Sequence, residues 1–138
     1  MADTPAVASL RGLIRKFLDE SELKYLRDGD EDFVLPFRNI MVHVTPHQWG
    51  DDQTVVAVVA VTNENMRIDK ELTEFIAVEN GRILFGKLCL YLDRKQVRFE
   101  HPLLGDFLNR DELGTAVKIV GSSAVGYESQ IKEKWGGI

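Results

Sequence analysis

Apolar and polar residues follow one another along this chain with the periods of helices and strands. Near the start, apolar residues recur at spacings of three, four and one, which is typical of an amphipathic helix. Thr4 and Pro5 before them have the order of an N-cap and a first helical residue. The sequence therefore predicts a first helix that ends near Asp19 to Ser21. Its apolar stripe is Val7, Leu10, Leu13, Ile14, Phe17 and Leu18.

An acidic hairpin is predicted next, because two short extended runs flank the turn residues 28–30. Pro36 in the second run cannot donate to a strand ladder, so we expect a sheet edge or a bulge there. The acidic spacing also resembles the start of an EF-hand loop. However, Phe33 stands where that loop requires glycine, and Asn39 stands where it requires glutamate. A solvated turn is the preferred interpretation.

Two longer strands follow with different patterns. Residues 40–45 alternate, and residues 46–53 have the composition of a loop. Residues 54–62 are apolar at every interior position, whereas a half-exposed strand would alternate. We therefore expect both sides of this strand to be covered.

The second half predicts a helix, a hairpin and a last helix. Asp69 caps a helix of residues 69–80 that Gly81 stops, and a hairpin follows over residues 86–101. Asn109 and Glu112 resemble a capping box that starts the last helix, which ends at the glycine pair 136–137. Three glycines inside that helix each weaken it by up to about 1 kcal/mol relative to alanine, which indicates close packing. They are Gly114, Gly121 and Gly126.

The element order is helix, four strands, helix, two strands, helix in one domain, residues 1–138. Strands grouped in this way predict an α+β fold, with an antiparallel sheet that carries its helices on one face. In the hairpin, Leu88 points to one side, while Cys89 and Tyr91 point to the other. Because neither of these two is strongly polar, the question is what covers the second side of the sheet.

Composition narrows the class of protein. With 44% apolar and 28% charged residues, the chain is typical of a folded soluble domain. Its formal net charge of −5 argues against direct binding of nucleic acid. One cysteine excludes an internal disulfide, and the start lacks a signal-peptide pattern. The expectation from these two features is a reducing cytoplasm. No apolar run approaches the roughly 20 residues of a membrane helix, so no membrane contact is expected.

No catalytic, cofactor or metal site is predicted. The histidines at 43, 47 and 101 and Cys89 lack the spacing of a zinc site. The segment GRILFG at 81–86 lacks the Lys–Ser/Thr pair of a phosphate loop. Acidic residues are plentiful, but no two of them stand out as a catalytic pair. The prediction is a protein that is not an enzyme, with an enzyme of unrecognised type as a remote alternative.

Residues from Leu72 onward resemble the YbjN family, bacterial domains related in fold to type III secretion chaperones. The likeness is strongest at 80–86, where Phe–Gly precedes a strand, and at 101–113. The resemblance implies the order α-β-β-β-β-α-β-β-α and a homodimer that pairs through the middle helix and neighbouring strands. It also implies a chaperone-like or regulatory protein that holds an unidentified protein or peptide client along apolar grooves and strand edges.

Two residue sets follow from this interpretation, although each residue taken singly is typical of a core. The predicted self-association surface is Leu72, Phe75, Ile76, Phe85, Leu88, Cys89 and Tyr91. The predicted partner contacts are Trp49, Val55, Ala57 and Val59. Strand addition at a sheet edge is a further way to hold a client. The alternative from another class is a small-ligand-binding or sensory regulatory module.

Overall fold

The computed structural model describes residues 3–28 and 32–137, so Gly29 and Asp30 of the predicted acidic turn lie outside the described residues. Among the described residues, three helices and six strands follow in the predicted order. They are α1 (Pro5–Glu20), β1 (Leu26–Asp28), β2 (Asp32–Phe37), β3 (Ile40–Trp49), β4 (Gln53–Glu64), α2 (Lys70–Arg82), β5 (Lys87–Tyr91), β6 (Gln96–Leu104) and α3 (Arg110–Trp135).

The strands form one antiparallel sheet in the order β1-β2-β3-β4-β6-β5. The helices pack on one side of it, and their apolar stripes share a single core with alternate strand residues. Along the central strand β4 the buried positions are Thr54, Val56, Val58, Ala60 and Thr62. The α+β sheet with helices on one face is thus confirmed.

The helix starts are set by local capping, as the sequence predicts. The side chain of Thr4 accepts a hydrogen bond from the amide of Val7 at 3.2 Å. Asn109 does the same for the amide of Glu112 at 2.8 Å. Each bond satisfies one of the amide groups that a first helical turn leaves without a partner.

The predicted loop over residues 46–53 is wrong. Strand β3 continues to Trp49 and β4 begins at Gln53, so only residues 50–52 form the turn. Pro46 is tolerated within β3 because β2 pairs with that strand only as far as Val44. Past that point β3 has a neighbour on one side only.

Two other boundaries depend on contacts far along the chain. Helix α2 runs through Gly81, which was predicted to stop it, and ends where Ile83 adopts an extended backbone. Pro36 lies in β2 between two strands, but β1 pairs with β2 only as far as Val34, so Pro36 sits on a locally free edge. The close packing predicted for the glycines of α3 holds at Gly121, where a Cβ would lie 2.5 Å from the Phe37 ring, whereas Gly126 faces open space.

Candidate functional site

The side of the sheet opposite the helices, here called the open face, carries a row of apolar side chains. Odd-numbered residues of β4 point to this side and are half-buried, while the even-numbered residues fill the core. The row consists of Val55, Ala57, Val59 and Val61. A strand that is apolar on both sides thus has one side packed by helices and one side left without them.

Neighbouring strands line this apolar row with more polar residues. On the β3 side, the register places His47, Thr45 and His43 opposite Val55, Ala57 and Val59 in turn. On the β6 side it places Leu104, Pro102 and Glu100 opposite the same three residues. The row is therefore a narrow apolar strip with polar borders, apart from Leu104 and Pro102 at one end.

Trp49 extends the strip at the hairpin end. It lies on the same side of β3 as Thr45 and His47 and pairs with Gln53 at the start of β4. The side chain is 56% exposed, which is unusual for so large an aromatic residue. The structure thus brings the predicted partner contacts Trp49, Val55, Ala57 and Val59 onto one continuous surface.

Cys89 and Tyr91 also belong to the open face, where residues of β6 partly cover them. The Tyr91 hydroxyl donates a hydrogen bond to the Glu100 carboxylate, and the Arg98 guanidinium lies 4.2 Å from the centre of the Tyr91 ring. The bond to Glu100, together with burial, raises the pKa of Tyr91 to about 12. Burial and the Glu100 charge raise the pKa of Cys89, so this thiol stays protonated at neutral pH and is a poor nucleophile.

The other predicted self-association residues lie elsewhere. Leu72, Ile76 and Leu88 belong to the core, with exposures of 0%, 9% and 2%. Phe75 is half-buried, with its ring centre 5.3 Å from that of Trp135. Phe85 is 53% exposed and lies edge-on to His101. The side chains of the three core residues therefore stabilise the protomer and present almost no surface to a partner.

Sequence reasoning missed two exposed apolar residues that lie near Phe85 in the chain. Val78 on α2 and Leu84 in the connection to β5 are 54% and 84% exposed. We call Val78, Leu84 and Phe85 the association patch. Val78 lies off the helical stripe of Leu72 and Ile76 in α2, so the sequence could have predicted that it is exposed. Leu84 stands in a run of apolar letters that does not distinguish a turn from a strand.

No group of three or more His, Cys, Asp or Glu residues within 3–28 and 32–137 is arranged to hold a metal ion. Over the same residues, no helix is both long enough and apolar enough to cross a membrane.

The chain is similar to a known protein family and to a solved structure. Residues 8–138 match the model of the TY-Chap1 family, described as T3SS (YopN, CesT) and YbjN peptide-binding chaperone 1. The crystal structure of YbjN from E. coli, a protein proposed to regulate transcription, matches with a TM-score of 0.57 and 13% identity. The match covers 86% of this chain and 87% of that one, and at this identity it shows the fold alone. No curated protein matches the chain.

Proposed function

Because this chain belongs to the TY-Chap1 family of peptide-binding chaperones, we propose that it is a non-enzymatic protein that binds an extended segment of a client protein on its open face. One observation carries this proposal. The strip formed by Val55, Ala57, Val59 and Val61 is apolar, half-exposed and left without helices. An extended client segment with alternating apolar side chains matches the spacing of such a strip. Burial of those side chains would drive binding.

Both sheet edges argue for docking on the face rather than for strand addition. At the β5 edge, the N–H and C=O groups of Leu88 are already bonded to the side chain of Asn80. At the other edge, β1 has three residues, and beyond it β2 carries Pro36, which has no N–H to donate. The outer strands β5 and β1 thus offer few backbone groups to a client strand, whereas β3 keeps a free edge beyond Val44.

We further propose that the protein is a homodimer that pairs through the association patch. Val78, Leu84 and Phe85 are all more than half exposed, and they follow one another from α2 into β5. Exposed apolar side chains are surface that a second copy of the chain could bury. Of the predicted self-association set, Phe85 is the member that this proposal keeps at its centre. Cys89 and Tyr91 join the client surface instead.

A regulatory role would act through protein contacts. The net charge of −5 disfavours direct binding to DNA. We propose a cytoplasmic location, where the single thiol of Cys89 stays reduced. The second candidate function, a small-ligand-binding or sensory module, stays a prediction. A small molecule that co-purifies with the protein and is detected by native mass spectrometry would favour it.

The client proposal is tested with a short fluorescein-labelled peptide in which valine alternates with threonine. We expect saturable binding by fluorescence anisotropy, and we expect Val59→Asp to weaken it by about tenfold or more, equivalent to 1.4 kcal/mol. Val125→Asp is the matched control, since this valine is likewise half-buried but lies on α3, on the other side of the sheet. Equal binding by wild type and Val59→Asp would show that the open face is not the client site.

The dimer is tested by light scattering after size exclusion at micromolar concentration. We expect the mass of two chains for wild type and of one chain for the double variant Leu84→Asp, Phe85→Asp. Val59→Asp serves as the control and should remain dimeric. If the wild-type protein is monomeric, the dimer proposal is wrong. If the double variant is still dimeric, the dimer does not pair through the association patch. Phe75 is unsuitable for this test because its ring packs against Trp135 and Tyr127.

A further inference from the structure

A cleft opens at the end of the apolar strip where two central strands separate. The pairing of β3 with β4 runs from the hairpin to Val42 and Ala60, and beyond these residues no pairing joins the two strands. The cleft has a volume of about 350 Å³. Its lining residues are Asn39, Ile40, Met41, His43, Val61, Thr62, Glu64 and Glu128.

Glu128 of α3 contributes a carboxylate to the lining of this cleft. The residue is 8% exposed, although it is ionisable. Its carboxylate accepts a hydrogen bond from the neighbouring Ser129 hydroxyl at 3.4 Å, and among the described residues it pairs with no Lys or Arg. A carboxylate without a cationic neighbour in a concave site attracts a cationic group.

Asn63, which lies between the lining residues Thr62 and Glu64 in the chain, has a side-chain oxygen without a donor. A register shift in β4 between Val61 and Asn63 leaves both Thr62 and Asn63 buried. The Asn63 side chain is fully buried and donates from Nδ2 to the main-chain oxygen of Glu128 at 3.2 Å, while its Oδ1 has no partner. The amide of Asn63 is thus anchored to the main chain of α3 at Glu128.

The cleft thus combines carboxylates with apolar walls. Glu64 adds a second carboxylate, and Ile40, Met41 and Val61 supply apolar surface. Lysine and arginine side chains have the complementary chemistry, since an apolar stem carries a cationic head with several donors. A metal ion fits less well, because within 3–28 and 32–137 no three candidate ligands converge.

We propose that this cleft binds the lysine or arginine side chain of the client peptide and so selects clients with a basic residue beside an apolar run. The inference rests on the proposed client site. Met41, His43 and Val61 connect the two surfaces, because they line the cleft and point to the open face. The apolar strip would hold the client, and the cleft would set its register.

The cation site is tested without a peptide. Backbone amide NMR shifts are followed while n-butylguanidinium is added to wild-type protein, with the uncharged isostere n-butylurea at the same concentrations and with matched NaCl. We expect saturable shifts around Thr62, Glu64 and Glu128 with butylguanidinium and none that saturate with butylurea. Equal effects of the two compounds would overturn the cation site without any need for a variant.

The charge requirement is tested with Glu128→Gln, which keeps the shape of the side chain. Glu133→Gln on the exposed side of the same helix is the matched control. We expect Glu128→Gln to weaken butylguanidinium binding by about tenfold or more and the control to leave it unchanged. Unchanged binding in folded Glu128→Gln protein would overturn the role of this carboxylate.

The link to the client is tested with the valine–threonine peptide carrying arginine, or its uncharged isostere citrulline, at each end. We expect tighter binding of the arginine peptide to wild type, and loss of this preference in Glu128→Gln. If both peptides bind wild type equally, the selection of basic clients is wrong while the client site on the open face stands. If butylguanidinium binds in the cleft but neither peptide binds, the cation site is supported and the proposed client-binding function is wrong.

Discussion

The side chain of Asn80 makes both hydrogen bonds that a neighbouring strand would make to Leu88. Its Nδ2 donates to the Leu88 carbonyl at 2.9 Å, and its Oδ1 accepts from the Leu88 amide at 2.8 Å. One residue at the end of α2 therefore closes part of the outer edge of β5, which would otherwise be a template for pairing with another chain.

Asn80→Ala should expose this edge and lower the free energy of unfolding by about 1–3 kcal/mol, because two backbone groups of a part-buried strand lose their partners. Urea unfolding followed by circular dichroism measures the change. Glu74→Ala, an exposed position on the same helix, should have a small effect. Equal stability of Asn80→Ala and wild type would mean that water replaces the amide at no cost.

Gly121→Ala and Gly126→Ala should change stability in opposite directions. An added Cβ at Gly121 would lie 2.5 Å from ring atoms of Phe37, so overpacking should cost about 1–3 kcal/mol in spite of the better helix propensity of alanine. At Gly126 nothing lies within 4 Å, so the propensity gain of up to about 1 kcal/mol should appear undiminished. Midpoints of thermal unfolding give the comparison, and a shift of the same sign in both variants would contradict it.

Ionisation of Tyr127 should lower the stability of the protein at alkaline pH. Burial and the hydrogen bond from its hydroxyl to Glu79 Oε1 at 3.0 Å raise its pKa from the usual value of 10.0 to about 12. Since the folded pKa is the higher one, this contribution is complete below pH 10 and is lost as the pH rises toward 12.

Tyr127→Phe keeps the ring stacked on Phe99 but removes the hydroxyl. We expect a loss of about 1 kcal/mol at neutral pH and a shallower decline of stability above pH 10, from urea unfolding at a series of pH values. A wild-type tyrosinate titration that is complete near pH 10 would contradict the raised pKa.

Asp69 should contribute to acid sensitivity. The amide of Leu72 donates to its carboxylate, and Arg67 and Trp135 add further bonds, so its pKa lies below the usual 3.8. This stabilisation is present above pH 3.8 and is lost as the pH falls through the lower folded value. Asp69→Asn can still cap α2 but carries no charge, so its stability should vary less with pH in this range. Parallel pH dependences in the variant and wild type would argue against this role.

The features that the sequence predicts correctly are those set by near neighbours in the chain. The caps at Thr4, Asp69 and Asn109 act within one helical turn, and the helix and strand periods depend on side-chain direction alone. The prediction of a loop at 46–53 is wrong because proline and polar residues are typical of loops when only near neighbours are considered. Pro46 can lie in a strand because β2 ends before it and leaves that side of β3 without a neighbour. The same holds for Gly81 within α2.

By itself, the sequence determined the order of elements, the fold class and the presence of more apolar strand surface than one side of a sheet requires, because these follow from local periodicity. Only the tertiary structure decided which apolar residues are core. Leu72 and Leu88 are packed away, while Val55 and Val59 stay half-exposed on the open face. The sequence does not distinguish these two pairs of apolar residues. Whether each is buried depends on which element packs against it, and that is set by contacts between distant parts of the chain.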